Sequence, residues 1–288
     1  MAMRRIMMFS VIVVLVMLIV ISINMKQHFT DKAVLSSWLW DKYLKEDVSA
    51  DLYFAVEQGV EQLYGYVPSD VDEDNLETFV SEANELGIDV YALQGQPNWV
   101  TNIEKARTWL SFINQYNRTS SSPFAGVIFD VEPYLLEGWD EEQTLIVSQF
   151  MALFDQLQED NADLQLKWTI PFWFDRVEAT PTQTLAEYMI ERADEISVMA
   201  YRDELNGHDG LLAHINEEIK WAEQYKTPLA IIIETRQADN EKVSFYGEKQ
   251  KFEHAIIELR HVADRYEYVD EVSIHHLHTW EQLIKESQ

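Results

Sequence analysis

The chain has 288 residues, of which 22 are basic and 50 acidic, for a formal charge of −28, and it contains no cysteine. A surface so acidic repels a phosphate backbone and sets nucleic acid aside as a partner, while the absence of cysteine removes both a disulfide framework and a lipid anchor on a thiol. Its 9 Trp, 13 Tyr and 13 Phe can fill a core or offer flat faces to sugar rings, and only their positions separate the two uses.

The first predicted element is the uncharged apolar run Ile6 to Met25, long enough to span a bilayer. Arg4 and Arg5 precede it, which puts the short N-terminus in the cytoplasm and the rest of the chain outside. No small-x-small cleavage site follows, so residues 1–26 are expected to be an uncleaved signal anchor and residues 27–288 an extracytoplasmic domain. A cleaved secretory signal is the competing reading.

Beyond a polar neck, short apolar runs alternate with amphipathic stretches, and no Pro-, Gly- or Ser-rich linker divides them. The runs predict eight strands, at Val34 to Trp40, Gly59 to Tyr66, Ile88 to Gln94, Phe124 to Glu132, Leu164 to Trp173, Glu195 to Tyr201, Pro228 to Glu234 and Glu271 to His276. Helical spacing falls between them, as in Leu76, Phe79, Val80, Ala83 and Leu86, or Phe252, Ala255, Ile256, Leu259 and Val262. Strand and helix alternating over this length predict a (β/α)8 TIM barrel. A doubly wound open sheet is the runner-up, weakened because no glycine-rich phosphate loop follows the first strand.

A barrel of this kind carries its chemistry at the C-terminal ends of its strands. In the fourth run, alternation puts Gly126, Ile128, Asp130 and Glu132 on one face and Val127, Phe129 and Val131 on the other. The apolar set must meet the helices, so Asp130 and Glu132 turn toward the barrel mouth, where burial and like charge raise a carboxyl pKa and make a general acid. The sixth run brings Met199, Tyr201 and Asp203 to the same face, and the seventh ends its apolar stretch at Glu234, with Arg236 or Arg202 as possible ion-pair partners.

The eighth run ends in His275, His276 and His278, followed by Trp280. This spacing is not that of a helical metal pair, so no metal or other cofactor is expected, and one of His275 and His276 is expected to face the mouth as a hydrogen-bond donor. Trp38, Trp40, Trp99, Trp173 and Trp280 fall near strand ends as candidate sugar platforms, and Gln94, with Gln96 and Asn98, offers amides for hydroxyl groups. Asn117-Arg-Thr119 forms a sequon.

These residues resemble the TIM-barrel glycoside hydrolases. Phe124 to Glu132 is similar to the fourth-strand motif of family 18 chitinases, Asp-Gly-x-Asp-x-Asp-x-Glu, keeping Gly126, Asp130 and Glu132 and departing at Ala125 and Ile128. Met199 and Tyr201 are similar to that family's sixth strand, with Arg202 intervening before Asp203. The resemblance implies that Glu132 protonates the leaving oxygen while Asp130 and Tyr201 position an attacking N-acetyl group. Glu132-Pro133 and Glu234 also resemble the acid/base and nucleophile of clan A retaining glycosidases, which implies two carboxyls about 5–5.5 Å apart. The set DVEP, MAYRD, IIIET and IHHLHTW looks like that of a group of bacterial barrel proteins of glycosidase type.

The expectation is therefore a membrane-anchored extracellular glycosidase acting on a cell-wall or exopolysaccharide glycan. Glu132 is its acid/base, Asp130 and Glu234 are assisting carboxylates, and Tyr201 and Asp203 line the subsite. The rivals are a catalytically silent carbohydrate-binding barrel and a metal-dependent amidase or deacetylase using the histidines.

Overall fold

The computed structural model describes residues 33–40, 48–161 and 163–285. The apolar run at residues 6–25, expected to be a signal anchor, lies outside them. Among the described residues no helix is long and apolar enough to cross a membrane.

Eight parallel strands close into a barrel: β1 Val34–Leu39, β2 Gln62–Tyr66, β3 Asp89–Gln94, β4 Gly126–Phe129, β5 Gln165–Pro171, β6 Glu195–Met199, β7 Leu229–Glu234 and β8 Val269–His275. Each pairs with its neighbours in chain order, and β1 closes on β8 with Val34 opposite Glu271 and Ser37 opposite Ile274. The helices between them are α1 Ser49–Glu57, α2 Glu73–Glu85, α3 Ile103–Thr119, α4 Gln143–Asp160, α5 Leu185–Ile190, α6 Leu211–His214, α7 Asn216–Tyr225, α8 Lys249–Ala263 and α9 Leu277–Lys285. A short antiparallel hairpin, Glu178–Thr180 with Gln183–Thr184, is inserted after β5.

Alternation along the strands divides the apolar side chains into two sets. Val127, Phe129, Leu166, Trp168, Ile231, Ile233 and Val272 point outward into one continuous layer with the helices. Trp38, Tyr64, Tyr91, Leu93, Ile128, Met199 and Ile232 point inward and form a separate cluster inside the barrel. The helices dock by their predicted stripes, with Leu76, Phe79, Val80 and Ala83 buried on α2 and Phe252, Ala255, Leu259 and Val262 on α8. Asp72 caps α2 by accepting from the amides of Asp74 and Asn75 at 3.0 and 3.1 Å.

The barrel floor is charged. Lys167 on β5 reaches Glu195 at 2.8 Å and Glu271 at 2.9 Å, and donates to Gln62 at 2.8 Å, with the face of the Tyr91 ring 4.4 Å away. Ser36 and Tyr64 donate to the same Glu271 carboxylate. Burial alone would lower the Lys167 pKa, but Glu271, Tyr64 and Glu195 outweigh it and keep the ammonium charged. Lys167, Glu195 and Glu271 are all almost fully buried, and none was foreseen as an interior residue.

The strand ends differ from expectation where they matter most. The β4 ladder stops at Phe129 and β6 at Met199, so Asp130, Glu132, Tyr201 and Asp203 stand on irregular backbone past the ladder. β5 likewise passes into a 3-10 turn at Phe172–Arg176. Strand alternation therefore loses its grip along these irregular segments, and by Asp203, four residues past β6, it no longer gives the direction of the side chain.

Candidate active site

The mouth is built from the ends of β4, β6, β7 and β8. Asp130 follows β4 directly: its amide donates to the Gln94 carbonyl at 3.1 Å, and its Oδ1 accepts from Thr169 Oγ1 at 2.6 Å. Gly95 makes this approach possible, because a Cβ there would lie 2.0 Å from the Asp130 carbonyl oxygen. Burial raises the Asp130 pKa, against the opposing pull of Thr169 and His275. Glu132 is half-buried and accepts from the phenol of Tyr134, two residues on. Its pKa is raised, first by burial and then by the charge of Asp130, with Tyr134, His275 and Arg236 acting the other way.

Glu234 closes β7 and is only 4% exposed. Its Oε1 accepts from the backbone amides of Thr235 at 2.9 Å and Arg236 at 2.7 Å, while His275 Nδ1–H donates to Oε2 at 3.0 Å. Burial pushes its pKa up, but the His275 hydrogen bond and charge and the Arg236 amide prevail, so the net shift is downward. Here the mouth shifts two carboxyls in opposite directions, Glu132 toward keeping its proton and Glu234 toward remaining ionised.

Tyr201 is half-buried, its phenol pKa pushed up first by its enclosure and then by Glu234, Asp130 and Glu132. It therefore shares one electrostatic neighbourhood with all three acids. His275 lies edge-on to Trp38 and Trp40, at 5.7 and 5.9 Å between ring centroids, and 6.2 Å from Tyr201. The His275–His276 peptide is cis. Burial, followed by the charge of His275, lowers the His276 pKa to about 4, so that ring is neutral across the physiological range.

The mouth thus gathers Asp130, Glu132, Tyr201, Glu234, His275 and Trp40. Trp38 lies one layer deeper, 2% exposed, donating from Nε1 to Ser273. Trp173 stands beside Tyr134 and Trp139, with centroids 5.0 and 6.1 Å away, so these three rings form an aromatic wall next to Glu132. Tyr134 and Trp139 were missed by the sequence reading. Their one signal was a tyrosine directly after Glu132-Pro133, which composition could not distinguish from packing.

Other expected site residues are placed elsewhere. Asp203 is ion-paired with Lys251 of α8 at 2.6 Å, because the three irregular residues Ala200 to Arg202 between β6 and Asp203 turn it outward. Gln94 is buried and spends its amide locally, donating to the Val67 carbonyl and accepting from the Gly95 amide. Trp99 packs on Trp109 and Phe129 behind β4, and Trp280 on Phe54 and Phe252 between helices. Both indoles are nearly fully buried, which leaves no face for a sugar. Arg202 lies over Phe172 and pairs with Asp209, so of the two arginines only Arg236 acts on Glu234. The side-chain amide of Asn117 in the sequon binds both main-chain groups of Phe124, at 2.9 and 3.0 Å.

The histidines take separate partners, with His275 on Glu234 and His278 3.6 Å from Asp51. Among the described residues no group of three or more His, Cys, Asp or Glu side chains is arranged to hold a metal ion.

Solved structures of three glycoside hydrolases share this eight-stranded parallel barrel fold. A GH18 chitinase from Cycas revoluta, in complex with a GlcNAc tetramer, superposes with a TM-score of 0.55 at 12% identity, covering 88% of this chain and 98% of its own. An intracellular xylanase from Thermoanaerobacterium saccharolyticum gives 0.55 at 10% identity, over 86% and 87% of the two chains. A β-galactosidase from Marinomonas ef1 gives 0.54 at 11% identity, over 84% of this chain and 53% of its own. Neither a protein-family model nor a curated protein sequence matches the chain, so the likeness is one of fold.

Proposed function

We propose that the protein is a glycoside hydrolase held at the outer face of the membrane by its N-terminal apolar segment, acting on a cell-wall or exopolysaccharide glycan. The observation that carries this reading is the opposed bias of Glu132 and Glu234 in one aromatic-lined mouth. In it Glu132 protonates the leaving oxygen and then deprotonates water, while Glu234, held ionised by His275 and two backbone amides, stabilises or attacks the oxocarbenium-like centre. Tyr201 and Asp130 border the same space, where they suit an N-acetyl group if the sugar bears one. The run of residues 6–25 supports the membrane attachment.

The test is release of new reducing ends from a panel of chitin, xylan, peptidoglycan and exopolysaccharide preparations, comparing wild type with Glu132→Gln. A fall of roughly 100-fold or more is expected, the scale of a lost acid/base. Equal rates would sink the assignment.

A second reading, a binding barrel without catalysis, draws support from Ile128, which fills the barrel interior at 0% exposure where the chitinase motif has an aspartate. Retention of a glycan with no new reducing ends would favour it.

A further inference from the structure

We infer that Tyr134 is the positioning residue for Glu132, holding the acid's carboxyl on the β4 side of the mouth and away from Glu234. The inference rests on the acid/base reading of Glu132 given above.

Glu132 stands three residues past the β4 ladder, at φ −105° and ψ 83°, so no neighbouring strand fixes its side chain. The charged and titratable groups that act on it are Asp130 from the end of β4, Tyr134 from the turn that follows, His275 from β8, Arg236 from the segment after β7, and Tyr201 from beyond β6. Asp130 repels the ionised carboxyl, while Arg236 and His275 attract it. Both attractions lead across the mouth to the groups that already hold Glu234. Left to them, Glu132 would swing toward Glu234's partners and narrow the gap that a glycosidic bond must enter.

Tyr134 opposes that swing. Its hydroxyl donates to Glu132 Oε1 from a 3-10 turn at Pro133–Leu135 whose first residue is proline, which fixes φ at that position. The ring is enclosed by Trp173 at 5.0 Å, Phe174 at 6.2 Å and Trp139 at 6.4 Å between centroids, so the phenol cannot follow the carboxyl across the mouth. Because Oε1 accepts from Tyr134, the acid's proton belongs on Oε2. That oxygen is left to donate to the leaving group.

The test uses the 288-residue chain with ¹³C-labelled glutamate carboxyls, the Glu132 resonance being identified by its loss in Glu132→Gln. Tyr134→Phe keeps the ring and deletes the donor, and the Glu132 titration midpoint is expected to move up while that of Glu234 stays put. Difluorotyrosine at position 134, a stronger donor of nearly the same shape, is expected to move the midpoint down, and it provides a folded comparison should the phenylalanine variant misfold. A midpoint unmoved in both removes the positioning role, whatever the protein cleaves.

Kinetics supply a second readout, on aryl glycosides of the sugar found by the reducing-end panel. With a 4-methylumbelliferyl leaving group, kcat of Tyr134→Phe is expected to fall about tenfold to a hundredfold at unchanged KM, part of what a placed acid contributes. With 2,4-dinitrophenyl, which departs without a proton, kcat/KM, which reports bond cleavage alone, should be nearly unchanged. Equal losses on both would overturn the proposal. A midpoint that moves in a protein that cleaves no glycan leaves the Tyr134 contact standing and removes the acid/base reading instead.

Discussion

Glu132 and Glu234 are shifted in opposite directions by the same mouth, and the pH dependence of turnover follows from the signs. The acid must be protonated, so activity is lost as pH rises through the raised midpoint of Glu132; the partner must be ionised, so activity is lost as pH falls through the lowered midpoint of Glu234. The expected kcat profile is a bell with its plateau between the two. In His275→Ala the acid limb is expected to move to higher pH, since the leading stabiliser of the Glu234 carboxylate is gone; an unmoved limb would detach His275 from it. A different acid governs stability. Glu218, on the first turn of α7, is 0% exposed and its carboxyl has no hydrogen bond to another residue among the described residues. Burial, with the nearby charges of Asp175 and Glu217, pushes its pKa up to about 8. A carboxyl raised in the folded state leaves stability intact below its unfolded midpoint and erodes it as pH climbs toward the folded one. Between pH 5 and 9 urea denaturation should therefore show a loss on the order of a few kcal/mol, which Glu218→Gln should largely abolish.

At the level of strands and helices, the barrel floor offers a direct experiment. Lys167 pairs with two buried acids at once, Glu271 held ionised and Glu195 pushed toward its protonated form by burial and the charge of Glu271, and its removal leaves the Glu271 carboxylate without a cation. Lys167→Met is expected to cost about 3–5 kcal/mol in urea unfolding; a loss below about 1 kcal/mol would mean that Glu271 simply takes up a proton. The same strand shows how much could be read beforehand. Period-two alternation and helical stripes were enough to predict all eight strands and the barrel, because burial on both faces writes itself into apolar runs. They also turned Asp130 and Glu234 the right way, each standing on its ladder or one residue past it. Lys167 escaped because a lysine inside an apolar run reads as a strand edge until its two acids, Glu195 and Glu271, are brought beside it by pairing between distant strands. Asp203 was assigned to the mouth by extending alternation beyond Met199, where the backbone had already left the sheet. Trp99 follows β3 in a 3-10 turn and Trp280 stands inside α9, and their rings are claimed by helices, a choice made by tertiary packing that sequence spacing does not encode. Tyr134 acts through a turn, where no periodicity points a side chain.

For the molecule as a whole, the dominant fact is a formal charge of −28. So many like charges repel one another in the compact state, and salt screens them over roughly 8–10 Å at 0.10–0.15 M. The melting temperature is expected to rise between 10 mM and 500 mM sodium chloride at pH 8, by scanning calorimetry. A flat response would show that the surface acids are paired locally. The same field disfavours polyanionic glycans at the mouth, where three carboxyls already stand together.

The distribution of indoles has a practical consequence. Trp38, Trp99, Trp109, Trp168 and Trp280 are at most 3% exposed, whereas Trp40, Trp139, Trp173 and Trp221 are half-buried, and three of those four border the mouth. Nature has in effect installed an optical gauge there: the red-shifted, acrylamide-quenchable fraction of the emission reports mostly on the cleft. A sugar settling into it should blue-shift and shield that fraction, so occupancy can be followed by light alone before any bond is broken.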